Sequence, residues 1–429
     1  MNDAAQHESG FSRRRLLGAA GLGALVVGSA AGGYAVGDAP APVVADPDAL
    51  PVEFHGTHQA GIVTPAQDRL YLVALDMTSE KRDDLISLLK DWTAAARQLT
   101  EGNDVGELGA LAGSPYAPPE DTGEALGLPP SRLTLTVGFG PSLFEDAQGK
   151  ARFGLDGRRP ALLAELPSFA GDRLDPAISG GDLVIQACAN DPQVAVHAVR
   201  NLVRIAFGRA SVRYSQMGFG RTSSTSTAQA TPRNLFGFKD GTANIKVEEK
   251  KTVDDFVWVH PDDDQAWLAG GSYLVTRKID MRIEIWDRES LEGQENIFGR
   301  AKGSGGPLSG GDEFADIDFA AKGDDGAQLI DPKSHVHLAH PDANGGAKIL
   351  RRGYNFVDGS NGLGQLSAGL FFICYQRNPL EQFARIQKSL AGSTHDLLNE
   401  YIVHVSSGLF ACPPGVTDEK GYWGETLFA

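Results

Sequence analysis

The sequence predicts an α+β chain made of two ferredoxin-like (split βαβ) halves, and three observations carry that expectation. At 429 residues the chain exceeds what one hydrophobic core usually supports. Between Leu70 and Met217, strand-like apolar runs and helical periodicities follow the order β-α-β-β-α-β. From Gly271 onward the same order is taken up again, with a segment from His335 to Leu350 inserted before its third element. The repeat is one of architecture, since the halves share no evident sequence identity.

In the first half, Leu70 to Met77 is a mostly apolar strand. Glu80, Asp83 and Asp84 then load the first turn of a helix whose Leu85, Leu88, Leu89, Trp92, Ala96 and Leu99 keep helical spacing. Gly102 to Ser131 is a Gly- and Pro-rich loop. Leu133, Leu135, Val137 and Phe139 alternate with polar or small residues, which predicts a half-buried strand. Asp182 to Ala187 is a short strand. Asp191-Pro192 supplies an N-cap and a proline in the first helical position for a helix running to Phe207. On that helix His197, Arg200, Asn201 and Arg204 share a face, so His197 is expected to be solvated. Ser211 to Met217 closes the unit.

In the second half Gly271 to Ile279 is a strand, Asp280 to Gly299 is largely helical, and Gly303 to Gly326 is a loop rich in Gly and Asp. Arg351 to Phe356 and Gly369 to Gln376 read as strands, the latter apolar enough to be buried on both faces. Pro379 to Ala391 is the second helix.

Charge and cysteine usage exclude several classes. There are 39 basic and 55 acidic residues, a net charge of -16, with no long basic run outside the N-terminus. That argues against nucleic acid or an anionic membrane surface as a partner. Cys188, Cys374 and Cys412 are odd in number and far apart, so no disulfide framework is implied. Residues 1–45 read as a twin-arginine export signal: Ser12-Arg13-Arg14-Arg15-Leu16-Leu17 precedes an uncharged run from Gly18 to Gly37. A membrane anchor is the alternative, disfavoured by the high Gly and Ala content of that run. The twin-arginine route carries folded proteins and suits a chain that receives a cofactor before export. His55 and His58 read as loop residues.

Two stretches carry chemistry. The first is Asp331-Pro-Lys-Ser-His335-Val-His337-Leu-Ala-His340-Pro, followed ten residues later by Arg351-Arg352-Gly353. Imidazole is a common ligand of haem iron, and a guanidinium is a permanent, rigid cation suited to an oxygen species that gains negative charge. Taken alone, these residues read as the polar side chains of an ordinary loop and a solvated strand edge. They also allow a copper or zinc site through His335, His337 and His340, since His335 and His337 would face one way in an extended segment. The second stretch is Thr231-Pro-Arg233-Asn-Leu-Phe-Gly237-Phe-Lys-Asp240-Gly241-Thr242-Ala243-Asn244-Ile245. Its glycines hold a carboxylate in a fixed turn and let backbone approach a flat ligand. Alone it is a turn; with a histidine and an arginine downstream, Asp240 gains an acid–base role.

Gly237-Phe-Lys-Asp240-Gly241-Thr242 resembles the G-x-x-D-G motif of dye-decolorising peroxidases. Ser334-His335-Val-His337-Leu-Ala and Leu350-Arg351-Arg352-Gly353-Tyr354 are similar to that family's proximal-histidine and distal-arginine segments. The export signal, His58-Gln-Ala-Gly-Ile and Phe371 to Gln376 resemble the family's exported branch, which includes deferrochelatase/peroxidases. The resemblance spans essentially the whole mature chain. It implies an N-terminal ferredoxin-like domain over 46–230 and a C-terminal one over 231–429 that binds haem b.

Residue by residue, the resemblance makes His335 the proximal iron ligand, Asp240 the distal acid/base and Arg351 the distal arginine. It sets Gly241, Thr242 and Ala243 against the haem edge and gives His340, Pro341 and Asp342 haem contacts. Arg233 is read as a replacement propionate partner, Phe372 as narrowing the distal pocket, and Asp396 as the acidic partner of the proximal imidazole. The implied activity is a haem peroxidase that reduces hydrogen peroxide and oxidises dyes, phenolics or other reductants by one-electron steps through an oxo-ferryl intermediate. The alternatives are a deferrochelatase that releases iron with the porphyrin intact, or a haem carrier. Expected partners are hydrogen peroxide, small-molecule reductants and the twin-arginine machinery, with homo-oligomerisation left open; the expected location is periplasmic or extracellular.

Overall fold

The computed structural model describes residues 49–392 and 395–429, so the export-signal expectation lies outside the described residues. Nine strands form one antiparallel sheet among them: β1 (Arg69–Met77), β2 (Thr134–Phe139), β3 (Leu183–Ala189), β4 (Ala210–Arg221), β5 (Ser272–Met281), β6 (Leu350–Arg351), β7 (Tyr354–Ser360), β8 (Leu366–Gln376) and β9 (Ile402–Cys412). The helices that cover the sheet or approach the site are α1 (Arg82–Thr100), α2 (Pro192–Ala206), α3 (Leu291–Phe298), α4 (His335–Ala339) and α5 (Arg385–Ala391).

The sheet order is β5-β9-β2-β3-β1-β4-β7-β8-β6, and β5 also pairs with β8, so the sheet closes on itself. Within it the first half runs β4-β1-β3-β2 and the second runs β9-β5-β8-β7, the same split βαβ order twice. The halves meet at two short seams. One is the single pair Phe139↔Ala411; the other is Phe219↔Asn355 and Arg221↔Tyr354.

Strand alternation divides the side chains into two sets. Leu70, Leu72, Ala74, Tyr354, Phe356, Phe371, Ile373, Tyr375, Phe410 and Cys412 belong to the core enclosed by the sheet. Val73, Leu75, Val137, Leu183 and Ile185 point outward beneath α1 and α2, packing with Leu85, Leu88, Leu89, Trp92, Val199 and Leu202. The Trp92 indole donates to Leu202 O at 2.7 Å, tying the two helices together. Asp191 caps α2 by accepting from Gln193 N and Val194 N.

Several local expectations change. β2 is buried on both faces because it lies between the enclosed core and the helix layer. His197 is buried, not solvated. The loop over 102–131 folds across that face of α2 and brings Asp121 within 2.8 Å of His197 Nε2, while Asn201 Nδ2 reaches Thr122 Oγ1 at 3.0 Å. The Asp280–Gly299 stretch holds only two short helices, Ile283–Trp286 and α3; Ser290 restarts the chain by accepting from Gly293 N. Arg351 to Phe356 is broken into β6 and β7. In β8 Leu370 and Phe372 are half-buried, because they face a cavity. The helix expected over Pro379–Ala391 opens with a wide turn, Leu380–Ala384, before α5. β9, which completes the second unit, is a strand the periodicity did not predict. No helix among the described residues is long and apolar enough to cross a membrane.

Burial raises the Asp121 carboxyl's pKa, but the Val105 N–H, His197 and the Gly123 N–H outweigh it and hold the net value below the usual aspartate range. A depressed folded pKa stabilises above the unfolded value, about 4, and that stability is lost as pH falls through the folded value. Asp121→Ala is expected to cost about 3 kcal/mol near neutral pH by stranding Val105 N–H and His197. In urea melts the gap between wild type and variant should shrink below about pH 4.

Candidate active site

Where α1 and α2 fill the outer face of the first half, the corresponding face of the second half is covered incompletely. A cavity of about 440 Å³ remains between β5, β8 and β9 on one side and α4 and α5 on the other. Its sheet wall carries Ile279, Met281, Leu370 and Phe372, and its helix wall Ala339, Ile386 and Leu390.

α4 is a five-residue helix whose first residue is His335. Gly299, at φ +79°, ends α3 against it; a Cβ there would sit 2.6 Å from Val336 Cγ1 and 2.9 Å from Ser334 Oγ, so only glycine allows this approach. His335 Nδ1 lies 2.6 Å from Asp396 Oδ2, and the other oxygen of Asp396 accepts from Leu398 N at 2.9 Å. A carboxylate can only accept, so Nδ1 carries the proton and the Nε2 lone pair is left for the cavity. Burial alone would lower the His335 pKa, but Asp396 outweighs it and the net direction is up.

Asp240 sits in the turn before Gly241, which adopts φ +82° and packs so closely that a Cβ there would lie 2.9 Å from Ser223 Cα. Asp240 Oδ1 accepts from Arg351 Nη1 at 2.9 Å, and Oδ2 from Asn234 Nδ2 at 3.4 Å. Arg351 is held by its backbone: Asn244 Oδ1 accepts from Arg351 N at 2.7 Å and Asn244 Nδ2 donates to Arg351 O at 2.9 Å. The amide of Asn244 thus does for the two-residue strand β6 what a neighbouring strand would do.

Of the residues singled out in the sequence, Asp240, Gly241, Thr242, Ala243, His335, His340, Pro341, Arg351, Phe372 and Asp396 all line this cavity. Two do not. Arg233 spends its guanidinium on the carbonyls of Gly237, Lys302 and Gly303, which staples the loop and leaves no reach inward. The Asp342 side chain is 85 % exposed and outside the lining, its Oδ2 3.4 Å from His340 Nδ1. The three histidines do not converge either. Because His335 to Ala339 is helical and not extended, His335 and His337 face different ways; the His337 ring stacks on Phe319 at 4.4 Å. No group of three metal-capable side chains occurs among the described residues. His55 and His58 are loop residues, the latter stacked on Trp258 at 3.8 Å.

Sequence reasoning missed Asn244 and Arg300. Asn244 lies four residues after Asp240 in the same stretch, but nothing in the sequence shows its amide meeting a strand a hundred residues on. Arg300 lines the cavity, donates Nη1 to Gly305 O at 2.7 Å and Glu313 O at 2.9 Å, and forms no salt bridge among the described residues. It is a cation in the wall with donors to spare.

The chain is similar to known proteins over nearly its whole length. The family model described as Dyp-type peroxidase, N-terminal, matches residues 59–220, and that described as Dyp-type peroxidase, C-terminal, matches 231–417. The deferrochelatase of Escherichia coli (strain K12) is 38% identical over 423 residues, 97% of this chain and 96% of that one. The deferrochelatase of Yersinia pestis is 37% identical over 427 residues, 97% and 94% of the two chains. Among solved structures, a DyP-type peroxidase from Streptomyces coelicolor superposes with a TM-score of 0.79 at 38% identity, covering 88% of this chain and 97% of that one. Ferric DtpA from Streptomyces lividans superposes with a TM-score of 0.79 at 37% identity, covering 89% and 98%.

Asn244→Ala is expected to cost about 2 kcal/mol, because it leaves the Arg351 N–H and C=O without their partners. Denaturant melts would show the loss, and Asn244→Asp, which keeps only the acceptor, should fall between the variant and wild type.

Proposed function

The chain belongs to the Dyp-type peroxidase family, and from that premise we propose that it is a haem peroxidase that reduces hydrogen peroxide and oxidises small reductants or dyes. One observation carries the reading: a single apolar-walled cavity holds an imidazole whose Nδ1 is fixed by Asp396 and a carboxylate–guanidinium pair, Asp240 with Arg351.

The residues present fit haem b. His335 offers a bare Nε2 for the iron, the two apolar walls suit a flat porphyrin, and Arg300 is a cation available to a propionate. Gly241, Thr242 and Ala243 would lie along the porphyrin edge. Haem bound there supplies the redox chemistry, accepting the oxidising power of peroxide and passing it to reductants one electron at a time.

The chain's own side chains have distinct tasks. Asp240 takes the proton from one oxygen of hydrogen peroxide and returns it to the departing oxygen, which leaves as water. Arg351 holds Asp240 by its Nη1–H and meets the negative charge that grows as the O–O bond breaks. Asp396 keeps the Nδ1 proton of His335 in place and adds electron density to the ring, favouring a strongly donating Nε2. Phe372 and Leu370 keep the floor of the cavity dry, where a fixed cation acts more strongly than in water. Bulky dyes would then be oxidised at the protein surface or the porphyrin edge.

A second reading, release of iron from haem with the porphyrin intact, is favoured by the name deferrochelatase carried by relatives 37–38% identical over 97% of this chain. The same His335 serves both. The proposal includes export by the twin-arginine route, supported by Ser12 to Leu17 and the uncharged run after it, and a boundary between domains at 230/231.

Haem-loaded protein should show a Soret band that changes on adding one equivalent of peroxide. His335→Ala should lose the imidazole-ligated spectrum. Asp240→Asn and Arg351→Leu should each slow the reaction with peroxide about 100-fold or more in stopped flow; unchanged rates in both would remove the assignment. Chromatography of the tetrapyrrole after incubation separates the two readings, iron-free porphyrin favouring the second.

A further inference from the structure

After Gly299 the chain leaves regular structure and crosses the cavity. Residues 303–326 contain only turns and isolated bridges. Glu313 to Ile317 line the cavity, yet Phe314 is 69 % exposed, so this segment is one residue thick between cavity and solvent.

It is fastened at both ends to the elements that carry the reacting side chains. At one end the Glu313 carboxylate, 8 % exposed, accepts from Lys239 Nζ and from Thr242 Oγ1 at 3.2 Å, residues that flank Asp240. Thr231, at the start of the same loop, also bonds this carboxylate. At the other end the Phe319 ring stacks on His337 at 4.4 Å and meets His340 edge-on at 5.1 Å, next to His335. Ahead of the first anchor the segment is rich in glycine, with Gly303, Gly305, Gly306, Gly310 and Gly311 before Glu313. Such a segment, with few buried apolar side chains, opens locally at lower free energy once the Glu313 side chain lets go, leaving Arg300 on Gly305 O and Glu313 O and Arg233 on Gly303 O as its other polar ties. Burial alone would raise the Glu313 pKa, but Lys239, Thr231 and Thr242 outweigh it and hold it below the usual glutamate range, so the anchor is charged at neutral pH.

We propose that Glu313 is the latch of a strap over residues 303–326, and that release of its ion pair with Lys239 sets the rate at which tetrapyrrole enters and leaves the cavity. This rests on the haem reading above. Glu313 is a positioning residue: it touches neither peroxide nor iron, but it braces the Asp240 loop and closes the mouth at the same time. The residence time of the porphyrin, which separates a retained peroxidase cofactor from a substrate that must depart, is governed by this contact.

The test is transfer of haem from the loaded protein to excess apomyoglobin, followed by the change in Soret absorbance. Glu313→Gln and Lys239→Met should each release haem about ten times faster than wild type or more, with the melting temperature of the haem-free chain unchanged. Phe319→Ala, at the other anchor, should accelerate release as well. Wild-type release rates in Glu313→Gln and Lys239→Met overturn the latch. Should either variant also melt early, hydrogen exchange of haem-loaded wild type decides: the strap amides must open together at least as fast as haem is lost, and slower opening overturns the proposal. A chain that takes up no haem ends both readings; one that loads haem but is indifferent to Glu313 ends only this one.

Discussion

Strand alternation in a closed sheet is the constraint on which the rest depends. Closure through β5 and β8 leaves no wide edge and assigns each strand residue either to the enclosed core or to the outer layer. The outer layer must then be covered. In the first half it is covered completely, by the apolar stripes of α1 and α2. In the second half only short helices, α3 and α4 from the long insertion between β5 and β6 and α5 after β8, stand opposite the sheet, and the uncovered area is the cavity. The site is therefore a gap in packing placed by topology, and its apolar sheet wall is made of ordinary outward-facing strand residues.

The same alternation explains why consecutive arginines part company. Arg351 points outward to Asp240, whereas Arg352 points inward and is wholly buried. Arg352 donates to Thr64 O and to Gln67 Oε1, groups of the segment that precedes β1. A buried guanidinium is costly unless its donors are met. Here the cost fixes the end of β6 against the first half, and so fixes where Arg351 emerges. Asn244 completes the arrangement from the other side by pairing with the Arg351 backbone. A second link between halves, Arg277 with Asp172, runs through the cavity wall beside His404. The cavity is thus built on the second half but braced by the first.

Much of the fold was legible because apolar periodicity is a local property. β1, α1, β3, α2 and β8 fall where their patterns place them, and Asp191-Pro192 caps α2 as its residue types require. The failures share a cause. His197 looked solvated because its helical neighbours are polar, and only the fold of residues 102–131 brings Asp121 to it. β9 alternates weakly, with Ser406, Ser407 and Gly408 in mid-strand, so its identity comes from pairing with β5 along its whole length. The three histidines suggested chelation only if extended; hydrogen bonding made them a helix and turned them apart.

By itself the sequence determined the two-part α+β order and the chemistry-bearing residues: a histidine after Ser334, a carboxylate between glycines at 240 and an arginine at 351. Those depend on residue type and short-range spacing. Only the tertiary structure decided that Asp396 lies on His335 and that Arg351 reaches Asp240. It also kept Arg233 and Asp342 out of the cavity lining, set Asn244 against the Arg351 backbone and placed Arg300 and Glu313 in the cavity wall. The contacts of Asp396 with His335, Asp240 with Arg351, Asn244 with Arg351 and Glu313 with Lys239 join residues dozens to more than a hundred positions apart. Such contacts are set by sheet closure and by the need to satisfy buried polar groups, neither of which a local pattern encodes.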